Sequence, residues 1–239
     1  LDLNRARSLG ERIKAALKGF SFGEFKPEFP GVAEPRTGKS MGESCEDMAK
    51  QWQIRREDQD LLAYESHQKA AAAYARGFYS DLVMPLRGLD KDNILRPDTT
   101  LEKLATLKPA FDKRSGNGTL TAGNSTNLSD GASAALLSSE AWAQANGKEI
   151  QAYLVDAQVA AVDFVAGEGL LMAPAWAVAQ LLKRNNLKLQ DFDFYEIHEA
   201  FAAQVLCTLK AWESEEFCKT KLGMDGALGS IDRSKLNVV

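Results

Sequence analysis

The sequence predicts an α/β protein in which a mainly helical segment precedes an alternation of strands and helices. Three observations carry this reading. Residues 192–197 alternate and are rich in aromatics, as a strand is, and residues 200–212 directly after them have the Ala and Leu content and the period of a helix. Residues 58–78 form an Ala-rich periodic run, with Leu61, Leu62, Ala72 and Ala73 among its apolar positions, and predict a long helix. From residue 119 onward alternating runs and helical runs take turns, the order of parallel strands joined by right-handed crossovers.

Residues 4–20 read as a basic amphipathic helix, with Leu9, Ile13, Leu17 and Phe20 on one face and five bases against the single acid Glu11. The simpler reading packs this stripe on its own domain and leaves the bases in water; the other lays it on a partner or an anionic membrane surface. A loop to Ser40 then interleaves Phe22, Phe25 and Phe29 with Pro27, Pro30 and Pro35. Its aromatics either cover a pocket, dip into lipid, or pin the loop down. Arg55, ahead of the long helix, offers no side-chain acceptor, so that helix starts without the usual cap. His67 reads as a surface or interhelical residue. Residues 83–112, with three prolines and many charges, predict loop with a short helix at 101–105. Residues 119–122 form a short expected strand, and the small residues of 130–138 permit close packing. A helix follows at 140–146, ended by Gly147, then an alternating strand-like run at 151–162 and a helix at 175–185 with Asn186 as its stop.

With 239 residues, 45% of them apolar and 26% charged, the chain has the composition of a soluble globular protein with a sizeable core. No apolar run approaches the roughly 20 residues a spanning helix needs, and no signal-peptide pattern opens the chain. A net charge of -4 gives no general attraction to nucleic acid, which is not expected as a partner. Three cysteines, an odd number, fit a reducing compartment better than a disulfide framework. His67 and His198 are the only histidines and no CxxC pair exists, so no metal site is expected. A zincin helix is excluded because its second His would fall on Ala202.

His198 is the ionisable residue at the predicted passage from strand to helix, where open α/β sheets keep their chemistry. Exposed N–H groups at a helix start disfavour an imidazolium, and a neutral ring there can orient a water or polarise a carbonyl. The plainer alternative is a core histidine with its hydrogen bonds satisfied. Cys45, at the start of a presumed helix, and Cys207 and Cys218, on or after the last one, read as buried structural thiols.

Residues 197–204, Ile-His-Glu-Ala-Phe-Ala-Ala-Gln, resemble the N-E-A-F-A segment of thiolases, in the His-bearing variant of the thiolase subunits of bacterial and mitochondrial fatty-acid oxidation complexes. Other segments agree in the family's order. Met41-Gly-Glu-Ser-Cys-Glu-Asp-Met-Ala49 is similar to M-G-x-T-A-E-x-x-A, Arg56-Glu-Asp-Gln-Asp60 to R-E-x-Q-D, and Pro109-Ala-Phe-Asp112 to P-A-F-D. Residues 119–132 resemble T-V-T-A-x-N-S-x-x-x-D-G-A.

The resemblance implies the layered α/β/α thiolase fold with an inserted, mainly helical loop domain. It makes residues 1–118 the loop domain that covers coenzyme A, 119–150 the end of the N-terminal half, and 151–239 the start of the C-terminal half. It also implies a 3-ketoacyl-CoA thiolase, an acetyl-CoA C-acyltransferase of fatty-acid β-oxidation. His198 takes the catalytic position that helps hold the oxyanion-stabilising group, with Glu199 or a backbone carbonyl expected to fix its tautomer. Thr126, Ala122, Phe111, Phe201 and Met41 take substrate and coenzyme A positions. The spacing from Phe111 to Thr119 is longer than the family's common one, so Phe111 is the least securely placed. Coenzyme A and acyl-CoA enter as substrates, with no permanently bound cofactor. A homodimer or higher oligomer and a hydratase/dehydrogenase subunit are the implied partners, in the bacterial cytoplasm or the mitochondrial matrix. The family's nucleophilic cysteine belongs before Leu1, and its G-H-P histidine and C-x-G cysteine belong after the stretch Lys235-Leu-Asn-Val238. The chain is therefore expected to be the middle of a thiolase, catalytically incomplete alone. The alternative is a non-catalytic acyl-CoA or lipid-binding or partner-docking module.

Overall fold

The computed structural model describes residues 31–239 together with Ser8, Leu9, Gly10 and Ile13. The expected basic helix, apart from those few positions, and Phe22, Phe25 and Phe29 lie outside the described residues. Two compact units are distinguished, Leu1–Val32 and Ala33–Val239, and the elements α1 to α7 belong to the second.

Helix α1, Met41–Gln51, begins on a reciprocal cap in which Ser40 Oγ accepts the Glu43 N–H at 3.2 Å and the Glu43 carboxylate accepts the Ser40 N–H at 2.8 Å. Gly42 in its first turn lies flat against the Phe111 ring. A Cβ there would stand 2.1 Å from Phe111 Cε1, so only glycine permits this approach. Helix α2, Arg56–Ala75, starts without a side-chain cap, as expected; Arg55 instead pairs with Asp58 through Nε at 2.9 Å and Nη2 at 2.8 Å. Helix α3, Leu101–Ala105, is capped by Thr100 and packs on α2.

Three further short or medium helices follow the predicted positions. They are α4, Glu140–Ala145; α5, Ala173–Asn185, ended by Asn186 at φ 52°; and α6, Ala202–Glu213. Helix α7, Glu215–Thr220, capped by Ser214, was not apparent in the sequence pattern. Helix α6 is the axis of the core, for all its residues except Lys210 and Glu213 are buried. Against it pack α1, α2, α5 and α7. Cys45, Met48, Leu62, Leu182, Val205, Cys207 and Trp212 meet in the core they share. Edge-to-face contacts of Phe217 with Trp52 (5.2 Å) and Trp176 (5.1 Å) close its far side.

The strands expected at 119–122, 151–162 and 192–197 are not realised as ladders. Among the described residues only isolated bridges form, with Thr121 antiparallel to Pro109, Ser125 antiparallel to Phe201, and Tyr195 parallel to Leu236. A strand is held by a neighbour's N–H and C=O groups and by cover over its apolar face. Residues 151–162 have neither here, and Tyr153, Val155 and Val159 stand 65 to 88% exposed. Residues 130–138, whose small side chains would permit close packing, are likewise exposed and without regular structure. Small side chains permit close approach but bring little apolar area to drive it.

Candidate functional site

Residues 119–126 form a turn between two buried carboxylates. Glu46, 2% exposed on α1, accepts the Thr119 N–H (2.8 Å), the Thr119 hydroxyl (2.9 Å) and the Leu120 N–H (3.0 Å). Asp60, 4% exposed on α2, accepts Asn124 Nδ2 at 2.9 Å through one oxygen and Arg56 Nε at 2.7 Å through the other. Arg56 continues the chain of contacts by donating to the carbonyls of Leu104 (2.6 Å) and Leu107 (3.2 Å). Asn124 then folds the turn on itself, its Oδ1 accepting the Thr121 N–H at 2.7 Å. Gly123 lets the turn press on α3, since a Cβ there would meet Leu107 Cδ1 at 2.5 Å and Leu104 Cδ2 at 2.6 Å. Each oxygen of the two buried carboxylates receives at least one donor, and these bonds hold the turn.

The turn is tied in the same way to the segment before α6. The Thr126 N–H donates to the Ala200 carbonyl at 2.8 Å and the Ala202 N–H donates to the Asn124 carbonyl at 3.0 Å. Beside this junction opens a cavity of about 420 Å³, lined by Ala122, Asn124, Ser125 and Thr126 on one side, Leu62, Ser66 and His67 of α2 on another, and Arg96 and Glu199. Ser125 Oγ is buried in its wall and has no hydrogen-bond partner among the described residues.

Of the site residues expected from sequence, Thr126 and Ala122 line this cavity. His198 is exposed and lines an adjoining recess of about 350 Å³ with Glu196, Asn237 and Val239; Ser66 and Glu199 border both openings. Phe201 is 7% exposed and stacks edge-to-face with Phe111 at 5.8 Å, while Met41 stands 62% exposed at the start of α1. Phe111, Phe201 and Met41 thus border neither opening but cluster around Gly42 or beside it.

Two expectations about His198 need correction. Helix α6 begins at Ala202 with Phe201 as its cap, so His198 lies outside the first turn, where the helix field acts. Glu199 does not fix the imidazole. Its carboxylate accepts Asn237 Nδ2 at 2.5 Å, and among the described residues no hydrogen bond reaches the ring. Asn237 is the functional neighbour that sequence reasoning missed. At φ 45° it also accepts the Ile197 N–H at 2.8 Å and donates to the Ile197 carbonyl at 2.9 Å, acting as a one-residue strand partner that holds 197–199. Its residue type, an Asn, which tolerates left-handed positions better than most side chains, was the one signal the sequence offered for it.

All three cysteines are fully buried. Burial pushes the Cys45 thiol far above its ordinary range, with Cys207 and Glu46 nearby acting in the same sense, and burial pushes Cys207 up to about 12. Cys218 Sγ donates to the Ala211 and Trp212 carbonyls at 3.4 Å. None is a nucleophile. Among the described residues no cluster of His, Cys, Asp and Glu has the makings of a metal site, and no helix is long and apolar enough to cross a membrane.

The chain matches the thiolase N-terminal domain over residues 23–141 and the thiolase C-terminal domain over residues 148–238, and it belongs to the thiolase family. Within that family it is 42% identical over 245 residues to the 3-ketoacyl-CoA thiolases of Shewanella sediminis and Pectobacterium carotovorum; the match covers 100% of this chain and 55% of each relative. The chain thus spans about half the length of the curated relatives it matches. The Bacillus anthracis acetyl-CoA acetyltransferase superposes with a TM-score of 0.69 at 32% identity, over 92% of this chain and 55% of that one. A thiolase from Ascaris suum, solved in complex with coenzyme A, gives 0.69 at 29%, over 88% and 50%. The thiolase α/β fold expected from sequence is therefore the fold to which these residues belong.

Proposed function

We propose that these residues are part of a 3-ketoacyl-CoA thiolase, an acetyl-CoA C-acyltransferase of fatty-acid β-oxidation, and that the 420 Å³ cavity receives the coenzyme A portion of the substrate. The observation that carries this reading is the double tie between the 122–126 turn and the segment 198–202, which sets Thr126 in one opening and His198 in the next. A pantetheine chain lying along the turn would pass Ala122 and Thr126 and bring its thioester toward the recess of His198. There the imidazole would hold the donor that stabilises charge on the thioester oxygen, a contribution of about 3–4 kcal/mol for a well-placed donor. Phe201 and Met41, expected along the thioester pocket, and Phe111, expected near the coenzyme, stand back from both openings and make no lining contact in this reading. The acyl group is carried by a cysteine thiolate in this reaction class, and the three buried thiols exclude this chain's own cysteines from that role. The reading therefore includes no turnover by the 239 residues alone.

Coenzyme A and acyl-CoA are substrates in this reading, with no resident cofactor or metal. Association as a homodimer or higher oligomer and with a hydratase/dehydrogenase subunit belongs to the same proposal, as does residence in a bacterial cytoplasm or a mitochondrial matrix. The test is calorimetric titration of the chain with coenzyme A, alone and with Thr126→Trp, which fills the cavity. Saturable binding by the first and none by the second is expected. Absence of binding at millimolar coenzyme A would overturn the reading, whereas thiolysis of acetoacetyl-CoA by the chain alone would refute only the inactivity of these residues by themselves.

A further inference from the structure

The wall of the cavity opposite the 122–126 turn includes Ile94 and Arg96, from a stretch with no regular secondary structure and mostly exposed residues. This stretch is closed on itself. Asp92 Oδ1 accepts the Ile94 N–H at 2.8 Å, and Arg96 Nη1 donates to the carbonyls of Asn93, Ile94 and Leu95 at 2.8, 2.9 and 3.1 Å. Its hydrogen bonds to the rest of the fold run to α2. Tyr74 Oη accepts the Asp92 N–H at 3.0 Å, His67 Nδ1 accepts the Arg96 N–H at 3.3 Å, and Gln68 Nε2 donates to the Pro97 carbonyl at 3.3 Å. Of these three ties only the one between His67 and Arg96 joins two residues that both line the cavity. It is also the only one made by a side chain that changes its hydrogen-bonding character between pH 5 and 8.

A neutral imidazole has a lone pair to offer the Arg96 N–H; an imidazolium has two donors and none. We propose that His67 is a positioning residue that holds the Ile94–Arg96 wall against α2 only while its ring is neutral, so that the coenzyme A cavity is formed at neutral pH and loosened in acid. The inference rests on the reading that this cavity takes coenzyme A. The charged groups facing the ring are Arg96 and Asp92 of the wall itself and Glu199 from the segment before α6. Burial and the Arg96 charge favour the neutral ring and outweigh the two carboxylates, which act in the opposite sense. His67 therefore protonates below the usual histidine range, and the tie is intact at neutral pH. On protonation a donor would face a donor, and a second cation would lie half-buried beside the Arg96 guanidinium.

The test compares wild type with His67→Asn and His67→Ala in coenzyme A titrations between pH 5.5 and 7.5. An Asn amide oxygen occupies the place of Nδ1 and accepts at every pH, whereas Ala removes the acceptor. The expected result is that wild type and His67→Asn bind alike at pH 7.5, and wild type becomes about fivefold weaker than His67→Asn at pH 5.5, the effect of one hydrogen bond. His67→Ala should be weak throughout, with unchanged circular dichroism. Dividing one protein's affinity by the other's removes the titration of the ligand phosphate and of every group other than residue 67 that the two proteins share. Equal affinities of wild type and His67→Asn at both pH values, or wild type becoming the tighter binder in acid, would overturn the inference while leaving the function intact. No binding by any of them at pH 7.5 would instead overturn the function. A measurement free of ligand keeps the two apart: the Arg96 amide resonance should titrate with the His67 ring in wild type and stay still in His67→Asn. An Arg96 amide that does not move in wild type would sink the proposal.

Discussion

Replacing Asp60 by alanine removes the anion on which the 119–126 turn rests. Asp60 is 4% exposed and makes two charge-assisted contacts, to Arg56 Nε at 2.7 Å and to Asn124 Nδ2 at 2.9 Å. Breaking a buried ion pair by removing one partner costs about 3–5 kcal/mol, much of it the penalty of leaving the other charge without a counterion. Arg56 is not wholly abandoned here. Its side chain is 18% exposed, and it keeps the carbonyls of Leu104 and Leu107. The expected loss lies at the low end, about 3 kcal/mol. With a urea slope of roughly 2–3 kcal/mol per molar, the unfolding midpoint should fall by about 1–1.5 M. Coenzyme A affinity should fall with it, because the turn that walls the cavity loses its anchor. Asn124→Ala in the Asp60→Ala background should cost less than in wild type by about 1 kcal/mol, since the bond between them is then already gone. A loss below about 1 kcal/mol for Asp60→Ala, or strictly additive single changes, would refute the view that this carboxylate organises the turn.

Gly42→Ala drives a Cβ into the Phe111 ring and should destabilise by about 1–3 kcal/mol in the same urea assay, with part recovered by adding Phe111→Leu; an unaffected midpoint would mean the ring moves aside freely. The three thiols should react with an aromatic disulfide reagent only at the rate of unfolding, and a fast fraction in the native protein would contradict their burial. Cys207 titrates near 12 when folded and near 9.0 when unfolded, so the unfolded chain loses that proton first. Its contribution is complete below pH 9 and declines above it by about 1.4 kcal/mol per pH unit. Cys207→Ala should flatten that decline, and an unchanged alkaline slope would refute it. Asn237→Ala should speed hydrogen exchange of the Ile197 amide about tenfold by taking away its acceptor, and an unaltered rate would show that the segment before α6 is held otherwise.

Much of the helical framework was legible because helices are specified locally. Leu101–Ala105 came out with the predicted bounds, the uncapped start at Arg55 was visible in the residue type, and Asn186 stopped α5 as expected, by turning to the left-handed conformation. The strands were less legible, since alternation in 151–162 states a preference that a ladder must satisfy, and no neighbour among the described residues does so. His198 shows the same limit at the site. Its neighbourhood to a helix start could be read, but the start lies at Ala202, which puts the imidazole beyond the reach of the dipole invoked for it.

Residue order was thus enough to determine the family, its motifs and most of the helices, for these are written within a few residues of one another. It did not reveal that Arg56-Glu-Asp-Gln-Asp60 exists to hold a turn. Nor did it show that Glu46 serves Thr119, 73 residues away, that Asp60 serves Asn124, 64 away, or that Asn237 serves Ile197, 40 away. Those pairings arise only when α1 and α2 pack on α6, because a buried carboxylate or amide takes whichever donors the closed core brings within about 3 Å, and nothing local specifies which they are.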